Sequence, residues 1–155
     1  MEPRVVYMPG VWDMLHVGHV AILEKAKALG DILIVGVPSD TAVCEDKGRM
    51  PIIPGDQRCA MLKALKCVDK AVMYHKLNFV PALMKFKADV LVVGSTWGKD
   101  KRHIEATEYM KQTGGRVVQF EYTSGVSSTM IKERVVAQYF SIKEKEITDG
   151  LQKMS

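Results

Sequence analysis

The chain has 155 residues, 47% hydrophobic and 26% charged, with a formal net charge of +4. That suits one globular domain with a buried core, and the positive balance is too mild for a nucleic-acid binder, which gathers Lys and Arg with interleaved aromatics. No apolar run approaches a membrane span, and no long apolar stretch follows Met1-Glu2-Pro3-Arg4, so neither a membrane segment nor a secretory leader is expected.

Taken in order, short apolar runs alternate with helical patterns. Residues 4–8 read as a strand. Residues 17–29 read as a helix with Val20, Leu23, Ala26 and Leu29 on one face, and Gly30 suits the position after its end. Ile32 to Val37 is apolar on both faces, as in a buried parallel strand. Pro38 to Gly55, dense in proline, glycine and charge, reads as one long loop. Asp56 opens a helix to about Lys66, with Cys59, Leu62 and Leu65 inward. A strand at Ala71–Tyr74, a helix over 79–86 and an apolar strand at Asp89–Gly94 follow. A loop at 95–100 leads to a helix ending near Thr113, and Gly114-Gly115 stops it. Arg116 to Tyr122 is the last strand, 123–128 a loop, and a final helix starts near Thr129.

The alternation predicts a single α/β domain over 1–140, Rossmann-like and doubly wound on a five-stranded parallel sheet. A polar C-terminal tail, helical or frayed, is expected over 141–155. Ligands of such sheets bind beyond the carboxyl ends of the strands. The loops at 9–16, 38–55, 94–100 and 122–128 all lie there. Three cysteines, Cys44, Cys59 and Cys67, with no C-x-x-C pair, argue against a disulfide framework or zinc site and fit a reducing, cytoplasmic setting.

One stretch carries chemistry of its own. In Gly10-Val11-Trp12-Asp13-Met14-Leu15-His16-Val17-Gly18-His19, two histidines three apart stand at the start of a helix, on one face. A helix N-terminus presents unpaired N–H groups and favours anions. Gly18, without a Cβ, allows close approach of a ligand to the backbone. Asp13 suits a helix cap or a metal ligand. Ser127, Ser128 and Thr129 make a second hydroxyl-rich helix start. Capping alone would need only one of them.

These two segments resemble the signatures of the HxGH nucleotidylyltransferase superfamily. The Thr123-Ser124-Gly125-Val126-Ser127-Ser128-Thr129-Met130-Ile131 segment resembles the second signature of its cytidylyltransferase branch. The resemblance covers most of residues 4–137 and is similar to both glycerol-3-phosphate cytidylyltransferases and heptose 1-phosphate adenylyltransferases. It implies transfer of a nucleotidyl group from a nucleoside triphosphate, with Mg²⁺, to a phosphorylated small molecule. His16, His19, Lys47, Ser128 and Thr129 would be catalytic, with Lys47 on a closing lid. Gly10, Val11, Trp12, Asp13, Gly18, Arg58, Gly94, Trp97 and Ser127 would bind nucleotide, with Asp13 also a metal candidate. Arg102, with Lys99, would hold acceptor phosphate, and His103 is expected at the surface. CTP with a glycerol-3-phosphate-like acceptor is the leading expectation. ATP with a sugar phosphate such as heptose 1-phosphate, or a non-catalytic nucleotide-binding module, is the alternative. Two departures bear on the choice: Ser95-Thr96 replace a pair of acids after Gly94, and Tyr122 stands where cytidylyltransferases often carry arginine. The resemblance also implies a homodimer.

Overall fold

In the computed structural model, residues 2–121 and 125–154 are described, the side chains of 147–154 excepted. Five runs rich in Val, Ile and Leu form the strands: β1 (Val5–Pro9), β2 (Ile32–Pro38), β3 (Lys70–Tyr74), β4 (Val90–Gly94) and β5 (Arg116–Phe120). All pair in parallel, in the order β3-β2-β1-β4-β5. The helices are α1 (Val17–Lys27), α2 (Asp40–Lys47), α3 (Gly55–Lys63), α4 (Val80–Phe86), α5 (Lys101–Gln112) and α6 (Ser128–Met154).

Alternate residues of a strand face opposite sides, and the core divides accordingly. Val6, Met8, Leu33, Val35, Val90 and Val92 pack with Ile22, Leu23 and Ala26 of α1 and with Cys59 and Leu62 of α3. Tyr7, Ile34, Leu91 and Val93 pack on the other side with Leu83 of α4 and Ala106 and Met110 of α5. The sheet is therefore covered on both faces, which is why the central strands are apolar throughout.

One expectation is corrected. The stretch expected to be loop from Pro38 to Gly55 contains α2. Ser39 caps it by accepting from the Ala42 N–H, and Gly48, at φ 67°, ends it in the left-handed region. With only Ala42 and Val43 buried among its eight residues, α2 shows almost no apolar periodicity. From 141 on, the expected tail is helical and lies within α6, whose Val135, Val136, Tyr139, Phe140 and Ile142 are exposed.

The chain runs from β1 to β2 on one side, and β4 returns to the other side of β1. The carboxyl ends of β1 and β4 thus flank a topological switch point, where open α/β sheets bind ligands. The β1–α1 turn, the C-terminal end of α2 and the segments after β4 and before α6 surround it.

Candidate active site

The β1–α1 turn is held in an unusual shape. Trp12 and Met14 adopt φ 59° and 53°, the left-handed region that side chains disfavour. The surroundings impose it. The Trp12 indole N–H donates to the Gly36 carbonyl at 3.0 Å. The Asp13 carboxylate accepts from the Ile52 N–H at 3.0 Å, the Ile53 N–H at 2.9 Å and Lys132 Nζ at 3.1 Å. Burial alone would raise the Asp13 carboxyl, but these donors hold it below its ordinary pKa.

His16 is the N-cap of α1. Its Nδ1 accepts from the Gly18 N–H at 3.1 Å, while the His16 N–H donates to Nδ1 of His19 at 3.2 Å. The rings stack with centroids 3.8 Å apart, and Trp12 meets His19 edge-on at 5.5 Å. Burial, aided by His16, lowers the His19 pKa to about 4; burial lowers that of His16 as well. Both imidazoles are therefore neutral at pH 7, and since each uses Nδ1 as an acceptor, each carries its proton on Nε2.

The start of α6 closes on this turn. Ser128 Oγ donates to the Asp13 carbonyl at 2.8 Å, and Ser127 Oγ caps the helix by accepting from the Met130 N–H. A methyl group on Gly18 would come within 2.9 Å of Val126 Cγ1, so only glycine lets the two helix starts approach this closely. A cavity of about 360 Å³ lies between them, lined by Gly10, Val11, Trp12, His16, Gly18, His19, Lys47, Gly94, Ser127 and Ser128 among others. A smaller one of about 140 Å³ shares Pro9, Gly10, Val11, Lys47 and Gly94 with it and extends to Tyr74, Phe79, Trp97, Arg102 and His103.

The expected site residues thus divide. His16, His19, Gly10, Val11, Trp12, Gly18, Lys47, Gly94, Ser127 and Ser128 meet at the larger cavity. Thr129 is exposed and lines neither. Arg58, expected to bind nucleotide, is 1% exposed. It donates to the carbonyls of Val11 (2.8 Å), Ile53 (2.9 Å) and Pro38 (2.9 Å) and to Asp40 Oδ1 (2.6 Å). It braces the turn from behind and lines neither cavity. Arg102 and Trp97 belong to the smaller cavity, and His103, expected at the surface, stacks on Trp97 at 4.0 Å. Tyr122, Thr123 and Ser124 lie outside the described residues.

Lys132 was not singled out in the sequence. It stands four residues after Ser128, one turn along the same face, and that spacing was the available signal. No group of three potential metal ligands gathers among the described residues. Both Asp13 oxygens already accept from protein donors, so its carboxylate does not fit a metal-ligand role.

The chain belongs to the cytidylyltransferase-like family, whose model matches residues 7–134. It is 34% identical over 137 residues to the bifunctional protein HldE of Citrifermentans bemidjiense. It is 38% identical over 135 residues to that of Helicobacter pylori strain Shi470. These alignments cover 88% and 86% of this chain but 28% of either relative, so the chain spans just over a quarter of their length. A crystal structure of a lipopolysaccharide core biosynthesis protein from Thermoplasma volcanium superposes with a TM-score of 0.65 at 29% identity, covering 79% of this chain and 98% of that one. A protein of unknown function from Archaeoglobus fulgidus, at 18% identity and TM-score 0.59, shares the fold; the match covers 79% of this chain and 93% of that one.

Proposed function

We propose that the protein transfers an adenylyl group from ATP to a sugar phosphate such as heptose 1-phosphate, releasing pyrophosphate. The HldE relatives support ATP and a sugar phosphate over the CTP and glycerol-3-phosphate pair that the sequence ranked first. The observation that carries nucleotidyl transfer is the convergence of two helix starts and two neutral Nε2–H donors on one cavity.

The acceptor phosphate is already ionised at neutral pH, so no general base is required. One of its oxygens bonds to the α-phosphorus, the bridging α–β P–O bond breaks, and the electron pair leaves with pyrophosphate. Catalysis then consists of placing two polyanions in line and stabilising charge on the α-phosphate and leaving group. The His16 and His19 Nε2–H groups, the N-termini of α1 and α6 and Lys47 supply those donors. Lys47, beside the C-cap Gly48 of α2, lines the larger cavity and offers its ammonium to the triphosphate. Asp13, Arg58 and Lys132 hold the donors in place.

The test is pyrophosphate release with ATP or CTP over a panel of phosphorylated acceptors. Turnover with ATP and heptose 1-phosphate is expected. Turnover with CTP alone would return the cytidylyl reading. A homodimer and a catalytic domain ending near 140 are part of this proposal. The exposed apolar side chains of α6 support self-association, and a one-chain mass by light scattering would remove it.

A further inference from the structure

We propose that Asp46 is a positioning residue for Lys47: its carboxylate holds the ammonium at the boundary of the two cavities and competes for it with the phosphates of the nucleotide. This rests on the nucleotidyl-transfer reading above and adds to it a control on how tightly nucleotide and pyrophosphate are held.

Charge at the larger cavity is scarce. Among the described residues that line it, Lys47 is the only charged side chain, since His16 and His19 are neutral. A triphosphate brings several negative charges, so the state of this one ammonium weighs heavily on affinity. That ammonium is already engaged: Lys47 Nζ lies 3.0 Å from Asp46 Oδ2. Lys47 lines both cavities, whereas of the two Asp46 lines the smaller. The carboxylate thus meets the ammonium from one side, and a triphosphate in the larger cavity meets it from the other. Carboxylate and phosphate oxygens make the same kind of charge-assisted hydrogen bond with an ammonium, so each weakens the hold of the other.

Arg102 makes the exchange possible. It was expected to hold acceptor phosphate, but its guanidinium is committed to protein. Nη2 donates to Asp46 Oδ1 at 2.8 Å and to Asp100 Oδ2 at 2.6 Å, and Nε donates to Asp100 Oδ2 at 3.2 Å. Asp100 is the N-cap of α5 and accepts from the His103 N–H at 3.1 Å, so the arginine is anchored. The two oxygens of Asp46 are therefore divided between two cations. When Lys47 turns to phosphate, Asp46 keeps Arg102 and is not left as an unpaired, largely buried carboxylate.

The balance between the two states is fine. Burial alone would raise the Asp46 carboxyl, but hydrogen bonds from Arg102 and Lys47 hold it below its ordinary pKa, so it stays ionised at neutral pH. The Lys47 side chain is 55% exposed, and its pair with Asp46 is weak enough to be displaced. After the α–β bond breaks, the same competition draws Lys47 back to Asp46 and favours departure of pyrophosphate.

Calorimetric titrations with ATP and with inorganic tripolyphosphate, which has no base, test this. Asp46→Asn is expected to tighten both by about three- to fivefold, because the amide does not compete for the ammonium. Arg102→Gln is expected to weaken both, because Asp46 then has Lys47 as its remaining cation. A merely structural role would weaken binding in both variants. In a Lys47→Gln background both effects should largely disappear. Weaker or unchanged binding in Asp46→Asn overturns the proposal. So does equal tightening with and without Lys47, which would be plain repulsion between Asp46 and phosphate. Failure of the wild type to bind either probe saturably overturns it as well. The transfer reading is judged separately, by pyrophosphate release: opposite shifts in binding without turnover would keep the competition and remove the transfer.

Discussion

The two halves of the site are held by different kinds of interaction. On the His16 side, side chains bind buried backbone groups: Arg58 to three carbonyls, Asp13 to two N–H groups, Trp12 to Gly36. On the Arg102 side, partly exposed charges bind each other across α2 and α5. Bonds to backbone fix atoms that must not move during phosphoryl chemistry. Ion pairs near solvent are weak and replaceable, which suits a contact that gives way to an incoming phosphate. The contrast separates what holds the donors still from what the substrate displaces.

The contrast breaks first at Arg58. Removing a buried, fully bonded charge leaves Asp40 and three carbonyls without their donor, so Arg58→Met should cost about 3–5 kcal/mol of stability in urea unfolding. A loss no larger than that of a surface arginine would show that the turn holds itself. Next come His16→Ala and His19→Ala, each expected to lower turnover by about 10²-fold or more with unfolding little changed. Unaltered turnover in both would remove them from the reaction.

A third test uses pH. The folded His19 pKa of about 4 lies below the ordinary 6.5, so between these values the unfolded chain binds a proton that the folded chain does not. Stability is then full above about pH 6.5 and falls as pH drops toward 4. His16 and His103 shift in the same direction. Urea titrations at pH 7 and pH 5 should show the decline, and His19→Gln should make it shallower; an equal slope in the variant contradicts the assignment. The smallest effect is expected at the other half. Arg102→Gln should cost only about 0.2–1 kcal/mol, and less in high salt. A loss as large as that of Arg58→Met would erase the distinction between the halves.

The same division governs what could be read from sequence. The central strands β1, β2 and β4 were legible because buried parallel strands must be apolar on both faces. The helix α2 was not, since two buried residues in eight leave no period. The geometry of His16, Gly18 and His19 was legible because it depends on neighbours within one turn. The burial of Arg58 was not legible, because an arginine near a helix start looks the same whether it faces a ligand or the core. The Asp46–Arg102 pair spans 56 residues and no local pattern announces it. Trp97 stood out as an aromatic, but its cluster with Phe79 and His103 exists only once α4 and α5 lie side by side.

Asp13 joins parts of the chain that are remote in sequence: its carbonyl takes the Ser128 hydroxyl, and its carboxylate takes Lys132 and the Ile52–Ile53 backbone. A displacement of any one of these pulls on the other two through a single residue. Ligand felt at the base of α6 is therefore felt in the histidine turn without a hinge between them. The two helix starts are tied together through Asp13, and amide signals from residues 16–19, 52–53 and 128–132 should shift together along one nucleotide titration.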